Sequence, residues 1–140
     1  MIGVGQEFPY FVKNGVDYVN AMCEVAYDDF NGWKVYYFYP KDFTFICPTE
    51  IKGMDMLTPE ATVVGFSGDN EFCKLAWKEN NELIKDIQHT LACDSGLELS
   101  KTLGIYDKLN GVCYRATYIV DPDGLIAHMS VNRDDTGRNA

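Results

Sequence analysis

The chain is poor in histidine and in positive charge, and it has no long apolar run. His89 and His128 are its only histidines. Both fall inside strand-like stretches, so the nucleophile–base pairs of hydrolases have little to draw on. Twelve Lys and Arg stand against 21 Asp and Glu, a formal charge of −9. A field of that sign repels phosphate backbones and anionic lipid, which argues against nucleic acid or membrane as a partner. No segment approaches the roughly 20 apolar residues that cross a bilayer. The opening "MIGVGQEFPYF" lacks the basic start and apolar stretch of a secretory leader. The expected location is cytoplasmic.

Cysteine occurs five times, at Cys23, Cys47, Cys73, Cys93 and Cys113, and never as a C-x-x-C pair. An odd, scattered set does not read as a disulfide framework. It does not read as a zinc site either, since His89 and Cys93 are the nearest approach to a ligand pair. No metal or other cofactor is expected. At least one thiol lacks an intramolecular disulfide partner, which leaves chemistry at a single sulfur open.

What is present fits one domain. A length of 140 residues with 46% hydrophobic content supports a single buried core and excludes disorder. In "KNGVD", Asn14-Gly15 reads as the turn of a hairpin between "YFV" and "YVN". Residues 34–39 and 61–67 are β-branched and aromatic runs that predict buried strands. Between them a short helix is expected from about Cys47 to Thr58-Pro59. "GDNEFCKLAWKENNELIKDI" reads as a helix capped by Asp69 or Asn70, with Phe72, Leu75, Ala76 and Leu83 on its apolar face. A short strand follows at 89–93, then a helix with Ser95 and Glu98 in capping-box spacing and a stop at Gly104. "RATYIVDPDGLIAHMSV" predicts a hairpin around "DPDG". Strands alternating with helices, closed by a hairpin, predict an α/β domain with a mixed central sheet.

One stretch stands where the first long strand hands over to a helix, "YPKDFTFICPTEI" at 39–51. A helix N-terminus stabilises the thiolate of a cysteine placed there. Thr44 can set a hydroxyl beside the sulfur, and Pro40 closes the preceding loop. Pro48 has no amide to give, so a turn beginning at Thr44 would be weakly held and able to open. Two reactions suit such a thiolate without an adjacent base: thiol–disulfide exchange and attack on a peroxide O–O bond. A thioredoxin-type dithiol would need cysteine at position 50, where Glu50 stands.

The same residues carry a resemblance. Pro40, Thr44 and Cys47 fall in the active-site spacing of the peroxiredoxins, and "DFTFICPTE" resembles that family's signature. "RATYIVDPDG", "VNRDDTGRN" and "NEFCKLAW" resemble further segments of its alkyl hydroperoxide reductase and typical two-cysteine branch. The resemblance implies a thioredoxin-like fold and a thiol-dependent peroxidase acting on hydrogen peroxide and organic hydroperoxides. Cys47 would be the peroxidatic nucleophile that becomes a sulfenic acid. Arg115 would fix thiolate and peroxide, Thr44 would hydrogen-bond the peroxide, and Pro40 would shield the site. Glu50 and Arg138 would orient Arg115, with Trp77 packed nearby. The implied electron donor is a thiol or a disulfide reductase, either thioredoxin-like or a flavoprotein.

The branch continues past "GRN" into another helix and a tail with a resolving cysteine. The expectation is therefore a catalytic domain over 1–140, cut short after Asn139, with Cys73 and Cys93 as internal resolving candidates. The first helix should be clipped, because Cys47 and "VVGFS" lie closer than is usual. A homodimer through an edge strand is implied, with "LIAHMSV" the candidate, while the missing helix argues against a ring of dimers. The alternative is a thiol-based redox sensor or holdase with weak turnover.

Overall fold

The computed structural model describes residues 2–42 and 46–132, with only the backbone of Ile46 and Cys47. Strands β1 (Val12–Val16), β2 (Met22–Ala26) and β3 (Lys34–Phe38) lead to helix α1 (Ile46–Asp55). Then come β4 (Thr62–Ser67), α2 (Glu71–Asn80), β5 (Thr90–Cys93) and α3 (Glu98–Leu103). Short strands β6 (Tyr106–Asp107) and β7 (Val112–Cys113) precede the hairpin of β8 (Arg115–Val120) and β9 (Ile126–Asn132). Seven strands form one sheet in the order β2-β1-β5-β4-β3-β8-β9. The central β5-β4-β3 trio is parallel and the flanking pairs are antiparallel, so the sheet is mixed as expected.

Every residue of β3 is buried. A period of two explains this: Tyr36 and Phe38 face one apolar cluster with Phe8, Phe11, Leu99 and Leu103. Val35 and Tyr37 face the other, where Ile51, Met54, Trp77 and Ile84 cover the sheet. Helices α1 and α2 thus lie on one face and α3 on the other. A continuous apolar run is what a strand covered on both faces needs.

The N-terminal hairpin departs from the sequence reading. Asn14-Gly15 is inside β1, paired to Glu24 and Cys23, and the turn lies at residues 17–21. The Asp17 carboxylate closes that turn by accepting from the Val19 and Ala21 amides. Gly15 serves the opposite edge instead. A Cβ there would meet the Leu91 carbonyl oxygen at 2.6 Å, so glycine lets β1 pair closely with β5.

Helix α2 is also shorter and differently faced than predicted. Asn70 caps it, accepting from the Cys73 amide at 2.8 Å, but it ends at Asn80. Its buried residues are Lys74, Trp77 and Lys78, whereas Phe72 and Leu83 are exposed. The lysine stems supply apolar cover while their ammonium groups find acceptors at Asp42 and the Asp17 carbonyl, a face that a hydrophobicity count cannot see. At α3 the predicted box of Ser95 and Glu98 is replaced by Asp94. Its buried carboxylate accepts from the Leu99 and Ser100 amides and the Ser100 hydroxyl. Gly104 ends α3 in the left-handed region (φ +81°), as the sequence predicts. Helix α1 stops at Asp55, before Thr58-Pro59.

Candidate active site

Strand β3 delivers the chain through Pro40 and Asp42, both buried, toward the start of α1. The backbone places Cys47 in the first described turn of that helix. Glu50, Ile51 and Met54 form its buried stripe. A helix N-terminus at a parallel sheet's carboxyl edge is where unpaired amides and the macrodipole favour negative charge.

Arg115 reaches this place because β8 runs antiparallel to β3. The register sets Ala116 opposite Phe38, so the first residue of β8 stands at the end of β3 from which the chain leaves for α1. Its guanidinium is 4% exposed and donates from Nη1 to Oε1 of Glu50, itself 6% exposed. The carboxylate comes from one turn beyond Cys47, which fixes the cation against the Cys47 helix. A buried Arg–carboxylate pair restricts the guanidinium more strongly than a surface pair would. Glu50 and Arg115 are thus paired directly. Thr44 and Arg138, the other two polar partners expected here, lie outside the described residues.

Trp77 of α2 is 2% exposed and packs on Tyr39, ring centroids 5.9 Å apart. It shares its cluster with Ile51 and Met54 of α1, so it supports the Cys47 helix from behind. Pro40 lines an open groove of about 340 Å³ with Lys41, Asp69, Leu97, Lys101 and Tyr106.

The two internal resolving candidates differ. Cys93 is buried in β5, its thiol donating to Glu71 Oε2 at 3.6 Å, and burial pushes it up to about 12. Cys73 is half-buried on α2; burial and then Asp42 raise its thiol above the usual range. Asp42, Asp69 and Cys73 bring three donor atoms within 4.8 Å of one another. The cation beside them is the Lys74 ammonium, 3.4 Å from Asp42 Oδ1. Cys113 is buried and its thiol donates to the Tyr39 carbonyl at 3.1 Å, a packing role.

A second polar cluster escaped the sequence reading. His89 Nε2 lies 2.6 Å from the Tyr37 hydroxyl and Nδ1 lies 2.7 Å from Asp55 Oδ1. Burial holds His89 below its ordinary value against the pull of Asp55. The neutral ring therefore donates from Nδ1 and accepts at Nε2. This chain of bonds ties the end of α1 to β3 and the start of β5. An isolated histidine in an apolar run gave no signal of it.

A family profile described as the AhpC/TSA family matches residues 4–129. Alkyl hydroperoxide reductase C of Mycolicibacterium smegmatis is 33% identical over 156 aligned residues, covering 99% of this chain and 80% of that protein. Alkyl hydroperoxide reductase C of Staphylococcus aureus is 33% identical over 123 residues, covering 84% of this chain and 65% of its relative. The crystal structure of the reduced Plasmodium vivax 2-Cys peroxiredoxin superposes with a TM-score of 0.90 at 32% identity. That superposition covers 99% of this chain and 77% of the P. vivax chain. The mixed sheet with its flanking helices is accordingly the thioredoxin-like fold of that group. Profile, relatives and fold agree, and the chain belongs to the AhpC/TSA family of peroxiredoxins.

Proposed function

We propose that this chain, a thiol-dependent peroxidase by its family, reduces hydrogen peroxide and small organic hydroperoxides through Cys47. The observation that carries the reading is the buried Arg115–Glu50 pair, which holds a fixed cation against the helix that carries Cys47 in its first described turn. A cation and a helix N-terminus both lower the pKa of a neighbouring thiol. The Cys47 thiolate attacks one peroxide oxygen, an S–O bond forms and the O–O bond breaks. The departing oxygen takes a proton and leaves as water or an alcohol. Sulfur is oxidised by two electrons to a sulfenic acid, and the peroxide is reduced by two.

Arg115 stabilises the charge that grows on the leaving oxygen, an electrostatic contribution that a donor fixed in advance makes without reorganisation. Thr44 donates to the bound peroxide, and Pro40 keeps bulk water from one side. A reduced thiol donor then attacks the sulfenic sulfur, releasing water and forming a disulfide that a second thiol opens. The donor is a thioredoxin-like protein or a flavoprotein reductase. Two copies pair through β9, which is the last strand of the described sheet. The domain over 1–140 supplies this chemistry. No feature of the described residues or of the named relatives favours the sensor or holdase alternative.

The test is to give reduced protein one equivalent of hydrogen peroxide, trap sulfenic acid and map all five cysteines by mass. Oxidation confined to Cys47 within seconds, and its loss in Cys47→Ser, is the expected result. Slow oxidation spread over every thiol overturns the reading. No helix among the described residues is long and apolar enough to cross a membrane, so the assay needs no lipid.

A further inference from the structure

Lys74 is a fully buried lysine on α2, at 0% exposure, and the peroxide chemistry above gives it no task. Its ammonium lies 3.4 Å from Oδ1 and 3.5 Å from Oδ2 of Asp42. It also donates to the Ser67 hydroxyl, which in turn donates to Asp42 Oδ1 at 3.1 Å. The Tyr39 ring lies 5.3 Å from the ammonium. Asp42 is held by its backbone too, its amide donating to Asp69 Oδ2 at 2.6 Å.

Stability alone does not account for this arrangement. Taking an ammonium and a carboxylate out of water is costly, and apolar replacement of a buried pair is often neutral or stabilising. Burial indeed raises Asp42 from the ordinary carboxylate range, with Lys74 opposing it. What the network does have is a particular geometry. Ser67 ends β4, Lys74 sits in the first half of α2, and Asp42 lies five residues before Cys47. Three parts of the chain meet on one ammonium, and among them is Asp42, with which the chain leaves β3 toward the Cys47 helix.

We infer that Lys74 is a positioning residue for the peroxidase reaction. Through Asp42, with Ser67 as the second arm, it fixes where the chain leaves β3 and so where Cys47 stands relative to Arg115. Arg115 is tied to the sheet through β8, and Asp42 stands where the chain leaves β3 for the Cys47 helix. Their alignment depends on both anchors. A misplacement of about 1 Å in a reacting group can lower a rate a hundredfold. This inference rests on Cys47 being the nucleophile.

The decisive variant is the double Lys74→Met, Asp42→Asn, because it removes both charges and leaves neither buried alone. The double variant is expected to fold with a cooperative thermal transition. Its second-order rate with hydrogen peroxide falls roughly tenfold to a hundredfold. The pH midpoint of Cys47 alkylation by iodoacetamide moves up by about half a unit or more, as a thiolate less well stabilised requires. A purely structural pair predicts otherwise: a folded double variant with wild-type rate and midpoint overturns the inference. Ser67→Ala keeps the ion pair and removes one arm, with an expected loss of roughly threefold on the lower side of the same effect. Should the double variant not fold, a wild-type rate and midpoint in Ser67→Ala overturns the inference in its place. Mass mapping of wild-type oxidation separates the two levels. If peroxide does not oxidise Cys47 in the wild type, the peroxidase reading itself fails.

Discussion

Replacing Arg115 by alanine separates its buried pairing with Glu50 from the catalytic job proposed for it. Arg115 and Glu50 are 4% and 6% exposed, so the variant removes one half of a buried ion pair. Breaking a buried pair in this way costs about 3–5 kcal/mol, against about 5–15 kcal/mol for a whole domain. A clear drop in the urea midpoint is therefore expected, and kinetics belong at low temperature where the variant stays folded. The chemical loss comes on top. A fixed donor to a developing oxyanion contributes about 2.7–4 kcal/mol, or roughly a hundredfold to a thousandfold in rate. The assay is stopped-flow peroxide reduction under pseudo-first-order conditions, with alkylation of Cys47 followed against pH. Both the rate and the alkylation midpoint should move, the midpoint upward as the cation is lost. A folded Arg115→Ala protein within threefold of the wild-type rate would refute the reasoning and leave Arg115 a structural ion-pair partner.

Three further outcomes are expected. Folding stability should fall as the pH drops below about 6.5, the ordinary value of an unfolded histidine. His89 is held low by burial, so the unfolded chain takes up that proton first and acid favours unfolding. Asp55 adds to the loss at lower pH: burial would raise it, but the His89 and Gln88 bonds prevail and lower it. Urea titrations at several pH values should show this slope, and His89→Phe should flatten it near pH 6; an unchanged slope would assign it to other groups. Gly15→Ala should cost about 1–3 kcal/mol, because its Cβ would lie 2.6 Å from a backbone oxygen that cannot swing aside. Chemical denaturation measures this, and a neutral result would mean that β1 and β5 separate freely. Amides in the first turn of α1 should exchange with deuterium much faster than those of β3, since the first amides of a helix have no carbonyl four residues back within it. Equal protection would count against a turn that opens around Cys47.

The strands of the central sheet were legible because burial on both faces writes them as continuous apolar runs, as in residues 34–39. The terminal hairpin was legible because Asp121 and Gly124 are the turn chemistry itself: the Asp121 carboxylate accepts from the Asp123 and Leu125 amides. The motif around Cys47 announced its helix and its family together. What failed was polar burial. Gly15 was read as a turn because nothing local distinguishes a turn glycine from one that admits a neighbouring strand. The face of α2 was misread because Lys74 and Lys78 count as solvent-facing until Asp42 and the Asp17 carbonyl are placed beside them. Ser95 and Glu98 fit a capping pattern, yet Asp94 has the buried carboxylate that does the capping. The β6–β7 hairpin passed unnoticed although Asn110-Gly111 marks its turn. For Gly15 and for the face of α2 the deciding contact comes from residues distant in sequence.

The thiols sort themselves by electrostatics. Burial raises Cys23, Cys73 and Cys93 above the usual thiol range, and Cys113 is spent on a hydrogen bond inside the core. A thiol pushed up to about 12, as at Cys93, is almost wholly protonated at neutral pH. Because only thiolates react quickly with electrophiles, the scaffold keeps Cys23, Cys73 and Cys93 chemically quiet. A polarised, oxidant-consuming centre can then share one small domain with several other cysteines without random cross-linking between them.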